Sequence, residues 1–488
     1  MKIVLVFPRW TTNYGIATYF ARRASVWPPL NLTTLAAIAE EQGHEVKIVD
    51  GQVENISLPQ TIEQIAAFKP DIIGITATTP FYHIASELAK ELKQLDSKTP
   101  LVIGGPHITI LGEKAFSSFW DYAFIGEADK SWPLFLERYQ NGEDISSVKG
   151  ILYRDNGQVR FTGMPDIVEN LDLIPFPARH LLKMDKYKLG TLQGRKHFTS
   201  IMFSRGCPFR CIFCSNNLYG HRVRRRSVQL VVDEISSVVT QFNIRHFYFA
   251  DDNLTLNRDY ILEMCDLIDK EKLSITFEGS TRANLIDEEL IARLVKSGLI
   301  RLSFGLETVD PEMRRIMKKE VPLESYTIAN RLTNKYGVET LNSVMIGLPG
   351  ETRETINQLL SYLRNARDIQ QANCSIAIPY PGTELYEMAE KEEGGLRLMT
   401  KDFLQYRRYG SAVMSVGDLS PDDLIELQND AFVSIYAAPW RIKPMLKKMG
   451  IIGGLLTLIR LIIAIAHKMR NKTSKTAPSI HQDPVNKR

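Results

Sequence analysis

Three of the five cysteines in this 488-residue chain fall within one short run, Ser204-Arg205-Gly206-Cys207-Pro208-Phe209-Arg210-Cys211-Ile212-Phe213-Cys214. Thiolates at Cys207, Cys211 and Cys214, spaced C-x-x-x-C-x-x-C, can hold three irons of a four-iron, four-sulfur (4Fe–4S) cluster and leave the fourth iron open. A structural zinc site normally closes with four ligands. Here only His221 stands near enough in sequence to be a fourth, and no second Cys/His pair follows. The other two cysteines are isolated. Cys265 falls in a helical pattern from Tyr260 to Ile268 and Cys374 beside an expected strand, so both read as packed core residues. One cluster is expected, with no second.

From Lys2 to about Trp132 strands and helices alternate. Ile3–Phe7, Val46–Val49, Ile72–Thr76, Leu101–Ile103 and Tyr122–Ile125 read as strands, with helices at Leu32–Gln42, Ile62–Phe68 and Ile84–Leu95. This alternation predicts an α/β fold with an open parallel sheet, which binds ligands at the carboxyl ends of its strands. The segments Gly150–Tyr153 and Gln158–Phe161 flank Asp155-Asn156-Gly157, a hairpin signal, and a proline-fixed stretch from Leu171 to Pro177 follows. A second βα block runs from Phe198 to Leu385. Its six strands are expected at Thr199–Phe203, His246–Ala250, Ser274–Gly279, Arg301–Gly305, Thr340–Gly347 and Ser375–Pro379, with helices such as Ser227–Phe242 and Asp287–Ser297. Six strands with six helices imply a partial (β/α)6 barrel.

The cysteine spacing, with Phe213 just before the third cysteine, resembles the radical SAM superfamily, in which S-adenosylmethionine (SAM) chelates the open iron. The block upstream resembles the cobalamin-binding domain of cobalamin-dependent radical SAM enzymes, among them class B methyltransferases and the anaerobic Mg-protoporphyrin cyclase. The resemblance implies a Rossmann-like cobalamin-binding domain over residues 1–140, a hairpin and linker over 141–190, and a radical SAM barrel over 191–400. A helical C-terminal region over 401–470 and a polar tail over 471–488 complete the chain. It also implies three cofactors: the 4Fe–4S cluster on the three cysteines, SAM and cobalamin.

By the same resemblance, SAM is met by Phe213 and by residues at the ends of the barrel strands. Asp251 and Asp252 face its amino group, Ser280 and Arg282 its carboxylate side, Glu307 the ribose hydroxyls, and Ile346 the adenine. Cobalamin is met by Thr76, Thr78, Gly104, Gly105, Gly126 and Glu127 at the strand ends of the first sheet. One departure is plain. The D-x-H-x-x-G signature that supplies a cobalt ligand in many cobalamin proteins is absent, and the chain reads Asp50-Gly51-Gln52-Val53-Glu54 there. The lower face of cobalt is therefore not assigned to a histidine of that motif, and neither His83 nor His107 is assigned to it.

The chemistry so implied is methyl transfer to an unactivated carbon, with one SAM supplying the methyl group through cobalamin and a second cleaved at the cluster. A ring-forming or oxidising relative of the cyclase type is the alternative, and a non-catalytic zinc scaffold is a third reading. A flavodoxin or ferredoxin would supply electrons. Few cysteines and no signal-peptide pattern at Met1-Lys2 point to the cytoplasm. The basic run Arg222–Arg226 is expected to balance cluster and carboxylate charge, and a net charge of +4 gives no reason to expect nucleic acid. Near the C-terminus Gly450–Ala466 is apolar except for Thr457 and Arg460 and is flanked by Lys443, Lys447, Lys448, His467, Lys468 and Arg470. That stretch is short for a span but suits a helix lying in a membrane interface, so a peripheral membrane position and a lipid-like small-molecule substrate, a tetrapyrrole precursor or isoprenoid lipid, are expected.

Overall fold

A computed structural model describes residues 1–10, 26–191, 194–215, 218–436, 438, 440 and 441. The apolar stretch 450–466 and the tail 471–488 lie outside the described residues. Among the described residues no helix is long and apolar enough to cross a membrane.

The first strand, β1 (Lys2–Phe7), shows why the N-terminal block is layered. Ile3 and Leu5 join one buried cluster while Val4 and Val6 join another, because successive side chains point to opposite faces. With both faces covered, a strand can read as an unbroken apolar run. Helix α1 (Leu30–Glu41) leads to β2 (Glu45–Asp50), α2 (Leu58–Phe68), β3 (Ile72–Thr76), α3 (Tyr82–Leu95), β4 (Leu101–Gly104), α4 (Pro106–Leu111), β5 (Tyr122–Phe124) and α5 (Ser131–Asn141). α2 begins four residues before the expected Ile62 because Ser57 and Gln60 form a reciprocal capping box. The strands β2-β1-β3-β4-β5 are parallel in that order.

The hairpin β6 (Ile151–Asp155) and β7 (Gln158–Phe161) pairs antiparallel onto β5 and extends the same sheet to seven strands. Asn156 and Gly157 both take left-handed φ (48° and 81°), as a two-residue turn of this hand requires. The hairpin, expected within the segment 141–190, thus continues the first sheet to Phe161 and covers the edge of β5.

The second sheet holds β8 (Lys188–Thr191) antiparallel at its edge, then six parallel strands: β9 (Gly194–Ile201), β12 (His246–Phe249), β13 (Thr276–Thr281), β14 (Leu299–Glu307), β15 (Glu339–Ile346) and β16 (Gln371–Ile376). Between β9 and β12 lie the two-residue strands β10 (Ser204–Arg205) and β11 (Arg224–Arg225) and helix α6 (Val228–Phe242). Pairing with β8 draws the chain into the sheet before the expected Thr199. Helices α7 (Arg258–Lys270), α8 (Glu288–Lys296), α9 (Leu323–Lys335) and α10 (Arg353–Asn365) follow strands β12 to β15 in turn. This is the expected partial barrel.

Beyond it come α11 (Glu384–Glu390), the small pair β17 (Leu396–Leu398) and β18 (Met414–Val416), and α12 (Pro421–Tyr436). α12 is capped by Ser420, whose hydroxyl accepts from Asp423 N at 3.2 Å, and it docks on the last strand, where Tyr436 donates to Ala372 O at 2.7 Å.

Candidate active site

The cysteine loop is framed by the β10–β11 pair and anchored below by the barrel. Gly206 turns the chain at φ 97°, where an added Cβ would lie 2.3 Å from Arg222 O, so only glycine lets the two strands approach. Asp251, just past β12, accepts hydrogen bonds from Phe203 N (3.2 Å), Ser204 N (2.6 Å) and the Ser204 hydroxyl (2.6 Å). Its carboxylate therefore fixes the lead-in to the loop. Burial pushes that carboxyl up to about 7. From the far side of the barrel, Ile212 N donates to Met317 O at 3.2 Å and Leu385 N to Ile212 O at 2.9 Å.

Cys207 is buried, Cys211 half-buried and Cys214 more open. Desolvation pushes all three thiols up, Cys214 to about 12, and repulsion from neighbouring thiolates adds to it at Cys207 and Cys214. Three thiols that repel as thiolates in a desolvated loop suit a cationic iron cluster. Asn253 Nδ2 lies 3.5 Å from Cys207 Sγ, an engagement of the sulfur that sequence reading missed although Asn253 adjoins the quoted pair Asp251-Asp252. His221 Nδ1 lies 3.2 Å from the Cys207 carbonyl oxygen. Among the described residues no three His, Cys, Asp or Glu side chains converge as a single-ion site.

Several strand-end residues expected to meet SAM gather at this loop. The Arg282 guanidinium stacks on Phe209 of the loop, 3.6 Å from the ring centroid, and its Nε is buried without a partner. Glu307 closes β14 at a register shift, with φ 60°, a strained value for a non-glycine residue. Its Oε1 is held by Lys319 Nζ at 2.8 Å, and Lys319 also sits 5.8 Å from the Phe213 ring. Sequence gave no sign of Lys319, which follows a short helix at Pro311–Ile316. Ser280 is half-buried on β13, and Asp252 is exposed beside the loop, where its charge opposes thiolates at Cys207 and Cys214.

Ile346 is corrected. It is fully buried with Val344 in the core outside the barrel, whereas the neighbouring Met345 packs with Phe213 and Ile212. Alternation along β15 turns Met345, and not Ile346, toward the cysteine loop.

All six residues expected to meet cobalamin line one cavity of about 400 Å3, together with Met202, Arg205, Arg226 and Glu234 from the barrel side. It opens at the carboxyl ends of β3 and β4, as parallel sheets arrange their sites. An added Cβ at Gly104 would meet nothing within 4 Å, so its α-carbon faces free space. The Thr78 hydroxyl is buried with no hydrogen-bond partner, while Thr76 is bonded by Asn31 at 3.0 Å. An orphaned hydroxyl and a bare glycine wall fit a cofactor that supplies both acceptors and bulk. At Gly105, φ is 102° and a Cβ would fall 2.7 Å from Ala77 O and 2.9 Å from Thr76 Oγ1. Gly105→Val is expected to displace the Thr76–Ala77 wall and release most bound cobalamin, read as the corrinoid retained through gel filtration.

Glu127 lines the cavity, but its carboxylate belongs to the frame. It bonds Arg205 Nη1 at 2.6 Å and both Nη atoms of Arg224, while Asp129 holds Arg205 at 2.6 and 3.0 Å. Glu127 clamps the first sheet to the β10–β11 pair. Two other members of the basic run are paired likewise: Arg222 with Glu169 at 3.0 Å and Arg226 with Glu234.

Among the described residues no histidine lines the cavity. His107 is buried against Tyr82 and Phe403 with Nδ1 3.3 Å from Thr79 Oγ1, and desolvation pushes it down to about 4. Gln52, which stands where the absent signature has its histidine, is buried in the one-turn helix Gly51–Glu54, capped by Asp50.

Comparison with known proteins agrees with both halves. Residues 201–363 match the radical SAM superfamily and residues 16–135 the B12 binding domain. An uncharacterized methyltransferase of Pyrococcus horikoshii is 32% identical over 442 residues, 90% of this chain and 93% of its own. The anaerobic magnesium-protoporphyrin IX monomethyl ester cyclase of Rubrivivax gelatinosus is 29% identical over 403 residues, 80% of this chain and 71% of its own. Among solved structures, the radical SAM methyltransferase TsrM from Kitasatospora setae, with cobalamin and a 4Fe–4S cluster bound, has a TM-score of 0.70 at 18% identity. The match covers 90% of this chain and 88% of that one, a likeness of fold.

Proposed function

The chain belongs to the cobalamin-binding radical SAM enzymes, and from that premise we propose that it methylates an unactivated carbon of an amphiphilic small molecule, a tetrapyrrole precursor or an isoprenoid lipid. Its cofactors are a 4Fe–4S cluster, SAM and cobalamin. The observation that carries the methyl-transfer reading is the shared cavity. Its walls come from the strand ends of the first sheet and from Met202 and Arg205, which lead directly into the cysteine loop.

When bound, the cluster with SAM supplies hydrogen abstraction and cobalamin supplies the methyl donor. The protein's own groups hold and exclude. Cys207, Cys211 and Cys214 hold the irons, and Asn253 engages the Cys207 sulfur. Arg282 has an unpartnered Nε that would meet the SAM carboxylate, and Glu307, paired with Lys319, would accept from the ribose hydroxyls. Phe213 and Met345 form the apolar side of that site. Ser280 and Asp252 border it, while Asp251 positions the loop. No side chain is assigned acid–base work; closing the two domains around the substrate keeps water from the radical.

The tetrapyrrole option draws support from the Rubrivivax relative, whose name specifies a magnesium-protoporphyrin ester. The same relative favours a second reading, ring formation without methyl transfer. The lipid-like option, a peripheral membrane position and a cytoplasmic setting rest on the sequence of 443–470 and on cysteine usage. A flavodoxin or ferredoxin is proposed as electron donor.

The test is anaerobic reconstitution with iron, sulfide and hydroxocobalamin, then SAM and reductant. With the acceptor present, 5′-deoxyadenosine and S-adenosylhomocysteine should form together. Deoxyadenosine with an altered but unmethylated tetrapyrrole would replace this proposal with the cyclase reading.

A further inference from the structure

We propose that Arg226 forms an oxyanion subsite in the wall of the interdomain cavity, and that it receives the phosphodiester of the cobalamin nucleotide tail. Arg226 follows β11 and is only 8% exposed. Its Nη1 donates to Glu234 Oε2, and its guanidinium lies 5.4 Å from the Phe176 ring centroid. Its Nε and Nη2 are buried and have no hydrogen-bond partner. Those two nitrogens form one edge of the guanidinium, the fork that matches two oxygens of a phosphate or carboxylate. Buried donors left empty cost stability, so a fork of this kind signals a missing acceptor.

Charge points the same way. Glu234, 1% exposed, is shared with Arg179, whose Nη2 lies 2.6 Å from Glu234 Oε1. Two guanidiniums with one carboxylate leave this buried triad one positive charge in excess. The neighbouring pair Arg205 and Arg224 has no such surplus, because Glu127 and Asp129 match it. Both Arg226 and Glu234 line the cavity that reaches Thr78 and Gly104. Cobalamin carries a single phosphodiester, on the nucleotide loop of its lower side. An anion presented at the surplus cation satisfies both the empty fork and the charge.

The inference rests on cobalamin occupying this cavity, and the experiment separates the two. Equilibrium binding of hydroxocobalamin and of cobinamide, which lacks the nucleotide loop and its phosphodiester, is measured on the full chain, for the wild type and for Arg226→Gln. Glu234 keeps Arg179 in the variant, so the triad retains a matched pair; thermal melting checks that the fold persists. Cobalamin affinity should fall about 10- to 100-fold, the range of one charge-assisted bidentate contact, while cobinamide affinity stays within about twofold. Arg226→Lys, which keeps the charge and loses the fork, should recover only part of the loss. Equal losses for both corrinoids would overturn the subsite and leave Arg226 a support of the domain interface. An unchanged cobalamin affinity would overturn it too and leave the fork to an oxyanion of the substrate. Wild-type protein that bound neither corrinoid would remove the cavity assignment itself.

Discussion

Cys207→Ala should reduce 5′-deoxyadenosine formation to background and lower bound iron well below the about four atoms per chain of an intact cluster. Cys207 is the most buried of the three cysteines, and Asn253 engages its sulfur. With two thiolates left, the cluster loses the third anchor that fixes which iron stays open to SAM. The barrel itself should survive. The loop remains tied by Asp251 to Phe203 and Ser204, and by Ile212 to Met317. Cys265→Ala is the matched control. Its thiol is fully buried on α7, remote from the loop, so this substitution should cost about 1–2 kcal/mol of packing and leave both iron content and deoxyadenosine yield unchanged. Loss of deoxyadenosine in both variants would mean that unfolding, and not ligation, explains the first.

The second large effect falls on stability. Glu127→Ala removes the carboxylate that Arg205 and Arg224 share across the domain interface, where all three side chains are at least 87% buried. Arg205 retains Asp129, but Arg224 keeps only the Val168 carbonyl. A buried guanidinium without a counter-charge costs about 3–5 kcal/mol, which at this size lowers the melting temperature by roughly 3–5 °C. Glu127→Gln keeps an acceptor without the charge and should fall between. Because the same residues frame the cysteine loop, both variants should also hold cobalamin less firmly. A melting temperature within about 1 °C of wild type for Glu127→Ala would show that the clamp does not join the domains.

Much of the fold was legible in the chain because its signals are local. The apolar runs of β1 and β3, the capped starts at Asp287 and Ser420, and the Asn156-Gly157 turn each declare themselves within a few residues. The three cysteines did so too. Strand ends such as Thr76 and Gly104 were readable because a parallel sheet places its ligand there whatever the ligand is.

What escaped depends on partners distant in sequence or on parity. Glu127 looked like a cofactor contact because Arg224, 97 residues away, is brought to it only by the fold. Lys319 carries no motif and meets Glu307 through a short helix whose direction the sequence does not reveal. Ile346 and Met345 differ by one residue, and one residue along a strand exchanges the barrel interior for its outer face. Asp251 was grouped with Asp252 as a ligand residue, yet its carboxylate is occupied by the backbone just before the cysteines.

In the proposed function, cluster and cobalamin serve one reaction across the cavity between the two sheets. Electron paramagnetic resonance of cob(II)alamin in the reconstituted full chain tests it most directly. Power saturation of the cobalt signal is compared with the 4Fe–4S cluster oxidised, which is diamagnetic, and reduced, which is paramagnetic. Two spins on opposite walls of one cavity should relax each other, so the cobalt signal should saturate at markedly higher power once the cluster is reduced, and Cys207→Ala should abolish that shift. Identical saturation in both states would place the cofactors too far apart for a common substrate and contradict the account.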